Sequence, residues 1–239
     1  NVLNQYSCNF WKKAGAKRII LAREVALDDC LTIKKNCDLE LEIFIHGAMC
    51  AGYSGKCVLS NYTSDRDANR GGCVQNCRHK YDIFSQESQD KLYSANIMNT
   101  KDLMTISLLP EILSLGIDSL KIEGRMKSNM YVANTTAIYR KAIDEVFELL
   151  HDNSLSTFDS YKFEKELKKV SNRTFCLGYL ENNKTMKEVT SVLSNIHYEF
   201  SGYEKQVEFL GIVKEVIHKE GIIIESKNPF TPNDQLEIF

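Results

Sequence analysis

The stretch from Leu39 to Cys77 constrains the fold of this chain most, because it passes from a strict period-two segment into a long unpatterned one. Leu39, Leu41, Ile43 and Ile45 alternate with Glu40, Glu42, Phe44 and His46, which puts the two sets on opposite faces of a strand. Gly47 is expected to end that strand. From Ala48 to Asp82 the chain is rich in Gly, Asn, Asp, Ser and Cys and has no sustained periodicity, which predicts a long functional loop with short helical pieces.

The elements around it alternate in type. Phe10, Trp11 and Ala14 read as the end of a helix closed by Gly15, with Trp11 expected in the core and Lys12, Lys13 and Lys17 on a solvated face. Ile19 to Ala22 is a short apolar strand, and residues 25–36 carry Val25, Leu27, Leu31 and Ile33 at helical spacing. Ile97 to Leu103 is expected as another strand. A helix follows with Leu108, Ile112 and Leu115, opened by Pro110 and stopped by Gly116. Ile117 to Glu123 is a further strand, and Ser128 caps a long helix whose stripe is Tyr131, Ile138, Ala142, Val146 and Leu149. Alternating strands and helices predict a parallel α/β fold, in which chemistry gathers at the C-terminal ends of strands. Those ends here carry Arg23 and Glu24, Glu42 and His46, Asn99 and Lys101, and Glu123 and Arg125. The sequence shows about four βα units against the eight of a closed barrel, so the expected architecture is an open sheet or the C-terminal half of a TIM-like (β/α) barrel.

Beyond His151 the pattern changes. Residues 152–159 are polar, and 161–170 form a short charged helix, so 152–200 is expected to be a linker and helical segment. From residue 201 to 239 short strands at 207–209, 212–213, 222–224 and 236–238, with turns at Asn228-Pro229 and Pro232-Asn233-Asp234, predict the start of a small all-β module.

Eight cysteines in 239 residues demand an account. No signal-like segment opens the chain and no apolar run is long enough to span a bilayer, so a cytoplasmic setting with reduced thiols is expected. Cys8, Cys30, Cys37 and Cys176 are scattered and read as small buried hydrophobes. Cys50, Cys57, Cys73 and Cys77 cluster, separated by six, fifteen and three residues. Thiolates suit zinc and iron–sulfur clusters, but no Cys-x-x-Cys occurs, and spacing alone leaves a metal site and unligated thiols both open. With 30 Lys+Arg against 32 Asp+Glu the net charge is −2, which excludes a globally basic nucleic-acid binder but not a local basic patch.

These residues also carry a resemblance. Glu42, Phe44, His46-Gly47, Cys50, Tyr53-Ser54-Gly55, Cys57 and Leu59-Ser60 resemble the signature run of the peptidase U32 family, the collagenase-like peptidases. The run from Arg66 to Gly71, the Asn99 to Leu103 run and the run from Lys121 to Ser128 match further, and the tail from Phe209 is similar to that family's C-terminal β module. The resemblance implies a barrel-type catalytic domain over 1–151 with the cysteine loop at 48–82, whose N-terminal half would precede Asn1. It implies a 4Fe-4S cluster on Cys50, Cys57 and Cys73, with Cys77 as the fourth ligand; many members have a further cysteine where this chain has Met104. It further implies a prephenate-dependent hydroxylase acting on the wobble uridine of tRNA, with tRNA and prephenate as partners. The family name implies a peptidase instead, and a zinc or scaffold protein without turnover is a third reading. The residues favour no peptidase: no Ser-His-Asp set or His-Glu-x-x-His helix is present, although His46 with Cys50 resembles a Cys–His pair.

Four residues are candidates for catalysis. His46 sits at a strand end beside the cysteine loop, either as a functional group or as a core histidine. Glu42, on the same predicted face, could orient it. Glu123 and Arg125 flank Gly124; Arg125 either holds a carboxylate of prephenate or pairs structurally with Glu123. Arg66, Arg70, Arg78, His79 and Lys80, with Tyr53, Tyr62 and Tyr81, form a basic aromatic stretch suited to RNA, or else a solvated loop offset by Asp65 and Asp67.

Overall fold

The computed structural model describes residues 2–181, 195–198, 202–218 and 221–238. The parts of the expected linker and β module at 182–194, 199–201, 219–220 and 239 lie outside the described residues.

The period-two segment is the axis of the fold. It forms β2 (Glu40–Ala48), which pairs in parallel with β1 (Arg18–Ile20) and with β6 (Ser119–Ile122). Its last residues pair with β5 (Asp102–Met104), which in turn pairs in parallel with β7 (Phe175–Cys176). The helices are α1 (Gln5–Lys13), α2 (Leu27–Asn36), α4 (Leu109–Ser114), α5 (Asn129–His151) and α6 (Ser160–Leu167). The sequence explains each start. Asn4 accepts the Ser7 N–H at 3.0 Å, Ser128 accepts that of Tyr131 at 3.2 Å, and Asp159 accepts that of Tyr161 at 3.0 Å. β1, α2 and β2 make a βαβ unit, and Leu27, Cys30 and Ile33 of α2 pack with Leu41, Ile43 and Ile45 in one core. Burying each such Leu or Ile contributes roughly 1.5–3 kcal/mol before ordering entropy. Phe163 and Leu167 of α6 join the same core, and β7 extends the same sheet, although both follow the expected boundary at His151.

Several expectations need correction. The sheet is mixed: β5 runs antiparallel to β2, with His46 opposite Met104 and Ala48 opposite Asp102. The expected strand at 97–103 shrinks to Asp102–Met104, because the Asn99 N–H turns back onto the Asn96 carbonyl (3.1 Å) and Arg78 occupies the Asn99 and Thr100 oxygens. Gly47 does not end β2 but lies inside it. Trp11 is 45% exposed and packs edge-on to the exposed Phe10. Cys8, Cys30 and Cys37 are buried as expected, whereas Cys176 is half-buried.

Two hairpins complete the described structure. β3 (Tyr81–Phe84) pairs with β4 (Lys91–Ala95), a hairpin directly after the cysteine loop. β8 (Gly211–Ile217) pairs with β9 (Gly221–Ser226) where an all-β module was expected; 207–209 and 236–238 are not strands.

Candidate functional site

The site is built where β2 and β6 end. Period two holds from Glu40 to Ile45 and then slips: Ile45 is an extra residue between the Phe44–Lys121 and His46–Ile122 pairs, a β-bulge. The bulge separates Glu42 from His46. Glu42 stays half-buried and is held by Lys121 Nζ and Ser119 Oγ, each at 2.9 Å, with Arg18 at 3.7 Å. Burial pushes its pKa up, but these partners outweigh it and leave the carboxyl below its usual range. Glu42 therefore does not orient His46.

His46 is fully buried among the rings of Phe175, Tyr139 and Tyr131, with centroids 5.3, 5.4 and 5.9 Å away. Its Nδ1 lies 3.4 Å from the Tyr139 hydroxyl, and its Nε2 has no partner. Desolvation holds its pKa down at about 3. It is a neutral imidazole sealed in the core, and its polar neighbour is a tyrosine rather than a cysteine.

Gly47 follows at φ +105°, and a Cβ there would stand 2.1 Å from the Glu123 carbonyl oxygen. Only glycine lets the ends of β2 and β6 approach this closely. Glu123 accepts the Arg125 backbone N–H at 3.0 Å and pairs with Arg23 at 3.6 Å, while Arg23 lies 3.8 Å over the Phe44 ring. The proposed ion pair between Glu123 and the Arg125 side chain does not form; Arg23 takes the carboxylate. The Arg125 guanidinium is exposed and reaches toward the cysteine loop, where a Cβ on Gly71 would be 3.9 Å from its Nη1.

The loop from 48 to 80 is a knitted structure with one short helix, α3 (Leu59–Ser64), and single turns at Ala68–Arg70 and Asn76–Arg78. Glu24 accepts the Ser54 N–H at 2.6 Å, Asn69 donates to the Cys57 carbonyl at 2.9 Å, and Ser60 Oγ accepts the Val74 N–H at 3.2 Å. Arg78 locks the loop to the sheet, donating to the carbonyls of Met49 (2.5 Å) and Thr100 (2.6 Å) and to the side chains of Asn99 (3.1 Å) and Thr100 (2.7 Å). Arg78 is thus a clamp rather than an RNA-facing cation. Glu24 and Arg78 were not recognised as anchors from sequence; a buried arginine looks no different from an exposed one in a basic run.

Cys50 and Cys73 are exposed, and Cys57 and Cys77 half-buried. Burial raises the Cys77 pKa, Arg78 opposes it, and Cys50, Cys73 and Cys57 each raise it further, so these three thiols lie within electrostatic reach of Cys77. The Gln75 N–H points at Cys73 Sγ (3.4 Å), and a Cβ on Gly52 would be 3.2 Å from Cys57 Sγ. Among the described residues no three His, Cys, Asp or Glu side chains stand in metal-ligating geometry. The fit to a cluster therefore rests on donor chemistry and shared location: four thiols on one loop, one receiving a backbone N–H. Met104 is buried and lines a cleft of about 590 Å³ with Glu164, Phe175 and Cys176, and none of the four loop cysteines lines that cleft. The same loop exposes aromatic and basic side chains: Tyr62 is 90% exposed, and Tyr53, Arg66, Arg70, His79 and Lys80 are exposed as well. Tyr81 is half-buried, its hydroxyl donating to the Asn76 carbonyl at 2.7 Å.

The chain is similar to known proteins over its whole length. The model of peptidase family U32 matches residues 1–190. Among curated proteins, "tRNA hydroxylation protein P1" of Bacillus subtilis (strain 168) is 36% identical over 99% of this chain and 55% of its own length. "tRNA hydroxylation protein P" of Escherichia coli (strain K12) is 30% identical over 100% of this chain and 60% of its own length. A 23S rRNA 5-hydroxycytidine synthase of the same organism is 39% identical over 58% of this chain. The chain thus spans only about half the length of the tRNA hydroxylation relatives it matches, from 44% to 60%. No solved structure matches it. No described helix is long and apolar enough to cross a membrane.

Proposed function

The chain belongs to the peptidase U32 family, and we propose that it carries the cluster-bearing part of a cytoplasmic RNA hydroxylase, acting on the wobble uridine of tRNA with prephenate as co-substrate. The observation that carries this reading is the set of four thiols on one loop at the end of β2, three of them within electrostatic reach of Cys77, on a loop that also exposes basic and aromatic side chains. The mixed sheet, with α6 and β7 belonging to its core and edge, is read as the C-terminal half of a (β/α) barrel, followed by the beginning of a β module at 201–239.

In this reading Cys50, Cys57, Cys73 and Cys77 hold a 4Fe-4S cluster as thiolates, Cys77 taking the place that Met104 cannot fill. The cluster, when bound, supplies one-electron redox chemistry. The rest is the work of the chain. Tyr62 and Tyr53 offer faces on which unpaired bases stack, and Arg66 and Arg70 meet phosphates. Arg125, exposed over Gly71, presents a guanidinium fork to a carboxylate of prephenate. Glu123 and Glu42 position rather than react, the first by fixing the Arg125 backbone and Arg23, the second by tying β2 to β6. A cysteine peptidase would need an imidazole beside a thiol, and His46 is sealed away with Tyr139.

The test is the metal content and visible spectrum of anaerobically purified protein. About four irons per chain, with broad absorbance near about 400 nm, are expected. Cys57→Ser should abolish both; full iron and colour in that variant would overturn the assignment. Stoichiometric zinc without iron would support the scaffold reading, and gelatin cleavage by metal-free protein the peptidase.

A further inference from the structure

One group of charges lies inside the molecule and is not used by the reading above. Asp102, at the start of β5, is fully buried and is bonded by Lys127 Nζ at 3.2 Å and Arg173 Nε at 3.3 Å, whose side chains are only 6% and 3% exposed. Arg78, on the same side, also faces the Cys77 and Cys50 thiols, so Lys127 and Arg173 are the two buried cations left sharing one bonded carboxylate. Unbalanced charge is costly to bury and calls for an anion. Arg78 has its donors committed to Met49, Asn99 and Thr100. Lys127 gives a second hydrogen bond to the Ser171 carbonyl at 3.1 Å. Arg173 differs: beyond Nε, its guanidinium has no hydrogen-bond partner among the described residues.

A second observation points the same way. Nε2 of His46 and the hydroxyl of Tyr131 are buried without partners. Lys127 Nζ lies 4.8 Å from the centre of the Tyr131 ring, and that ring is 5.9 Å from the His46 ring, so these orphaned atoms belong to side chains packed against the same group. Tyr203 covers the group from outside. Its ring lies 4.2 Å from Lys127 Nζ and 4.9 Å from Arg173 Cζ while remaining 46% exposed, on a segment tied down by reciprocal backbone bonds between Asn172 and Glu204.

We propose that Arg173 and Lys127, beneath Tyr203, bind the carboxylate of a small organic acid. The free edge of one guanidinium is a planar fork that matches a carboxylate bidentately. A phosphate dianion fits less well, because it needs more donors than that edge offers and is repelled by Asp102. Tyr203 serves as the cap, its face on the two cations when the site is empty and its exposed side the route of entry.

The proposal does not depend on a cluster, so iron content and carboxylate binding fail separately. The experiment is an NMR titration of the whole chain with malonate and acetate, following the Arg173 Nε–H and Tyr203 backbone signals, with inorganic phosphate and chloride as controls. Saturable shifts of both signals with the carboxylates, and weaker ones with the controls, are expected. No shift, or equal shifts with chloride, which would mean an adventitious ion only, overturns the site. Arg173→Lys keeps the charge beside Asp102 and should weaken malonate binding about tenfold. Tyr203→Ala, at an exposed position where folding is not at stake, should weaken it about threefold. Unchanged affinity in Tyr203→Ala together with unmoved Arg173 signals in the wild type overturns the proposal even if Arg173→Lys does not fold.

Discussion

At the scale of single residues, His46 and Gly47 have opposite demands met by the same bulge. His46 enters the core neutral, with its pKa lowered from 6.5 to about 3. The unfolded chain therefore takes up a proton that the folded one refuses. The stability tied to this residue is complete above pH 6.5 and is lost as pH falls from there toward about 3, at up to roughly 1.4 kcal/mol per pH unit. His46→Phe should flatten the dependence of unfolding free energy on pH between about 6.5 and 4.5; urea unfolding at several pH values checks this, and an unchanged slope contradicts it. Gly47 needs both its positive φ and its missing Cβ, so Gly47→Ala should cost roughly 2–4 kcal/mol. Chemical denaturation reads that loss, and a variant as stable as the wild type would mean that the ends of β2 and β6 need not touch.

At the scale of elements, two devices set the site: the bulge in β2 and the cap of α5. Ser128 accepts the Tyr131 N–H and so begins the helix directly after the loop that carries Glu123, Arg125 and Lys127. Ser128→Ala should destabilise the chain by about 1 kcal/mol. Because Tyr131 packs on His46 and under Lys127, hydrogen exchange should quicken first in the opening turn of α5. Protection unchanged in that turn would show that packing alone starts the helix. The Arg78 clamp works at this scale too. Its four hydrogen bonds tie the end of the cysteine loop to Met49, directly after β2, and to the turn before β5, and Arg78→Met should cost roughly 2–4 kcal/mol by leaving buried oxygens unpaired.

At the scale of the whole molecule, charge is nearly balanced at −2, so the RNA binding proposed above would have to come from a local surface. Affinity for tRNA should fall steeply with salt, and Arg66→Gln with Arg70→Gln should reduce that slope by about one to two. Tyr62→Ala should weaken binding by roughly 1–3 kcal/mol at any salt, since stacking does not depend on counterions. Arg78→Lys should leave the slope as it is, because that cation faces inward. Filter binding across a salt series separates the three, and a slope that follows Arg78 rather than Arg66 and Arg70 would reverse the assignment of clamp and surface.

Much of the architecture was legible because it is local. Period two wrote β2, Ser128 and Pro110 marked helix starts, and the absence of any period between Ala48 and Asp82 announced the loop with its four cysteines. The family, too, was legible in the runs from Glu42 to Ser60 and from Lys121 to Ser128. What the sequence alone did not contain was the direction and partner of each side chain. Glu42 and His46 share a face in an ideal strand, and one inserted residue, Ile45, puts them in different environments. Arg78 and Arg66 are both cations in one basic run, and only the packing of the Asn99 turn against the loop makes the first a clamp. Pairing of Glu123 with Arg125, two residues away, is one of the two readings the sequence leaves open, but Arg23, from the segment after β1, takes the carboxylate instead. Nothing in the separation of Asp102, Lys127, Arg173 and Tyr203 along the chain hints that they meet. Periodicity and capping act within a few residues and survive in the sequence, whereas charge pairing and burial depend on which distant segments the sheet brings into contact.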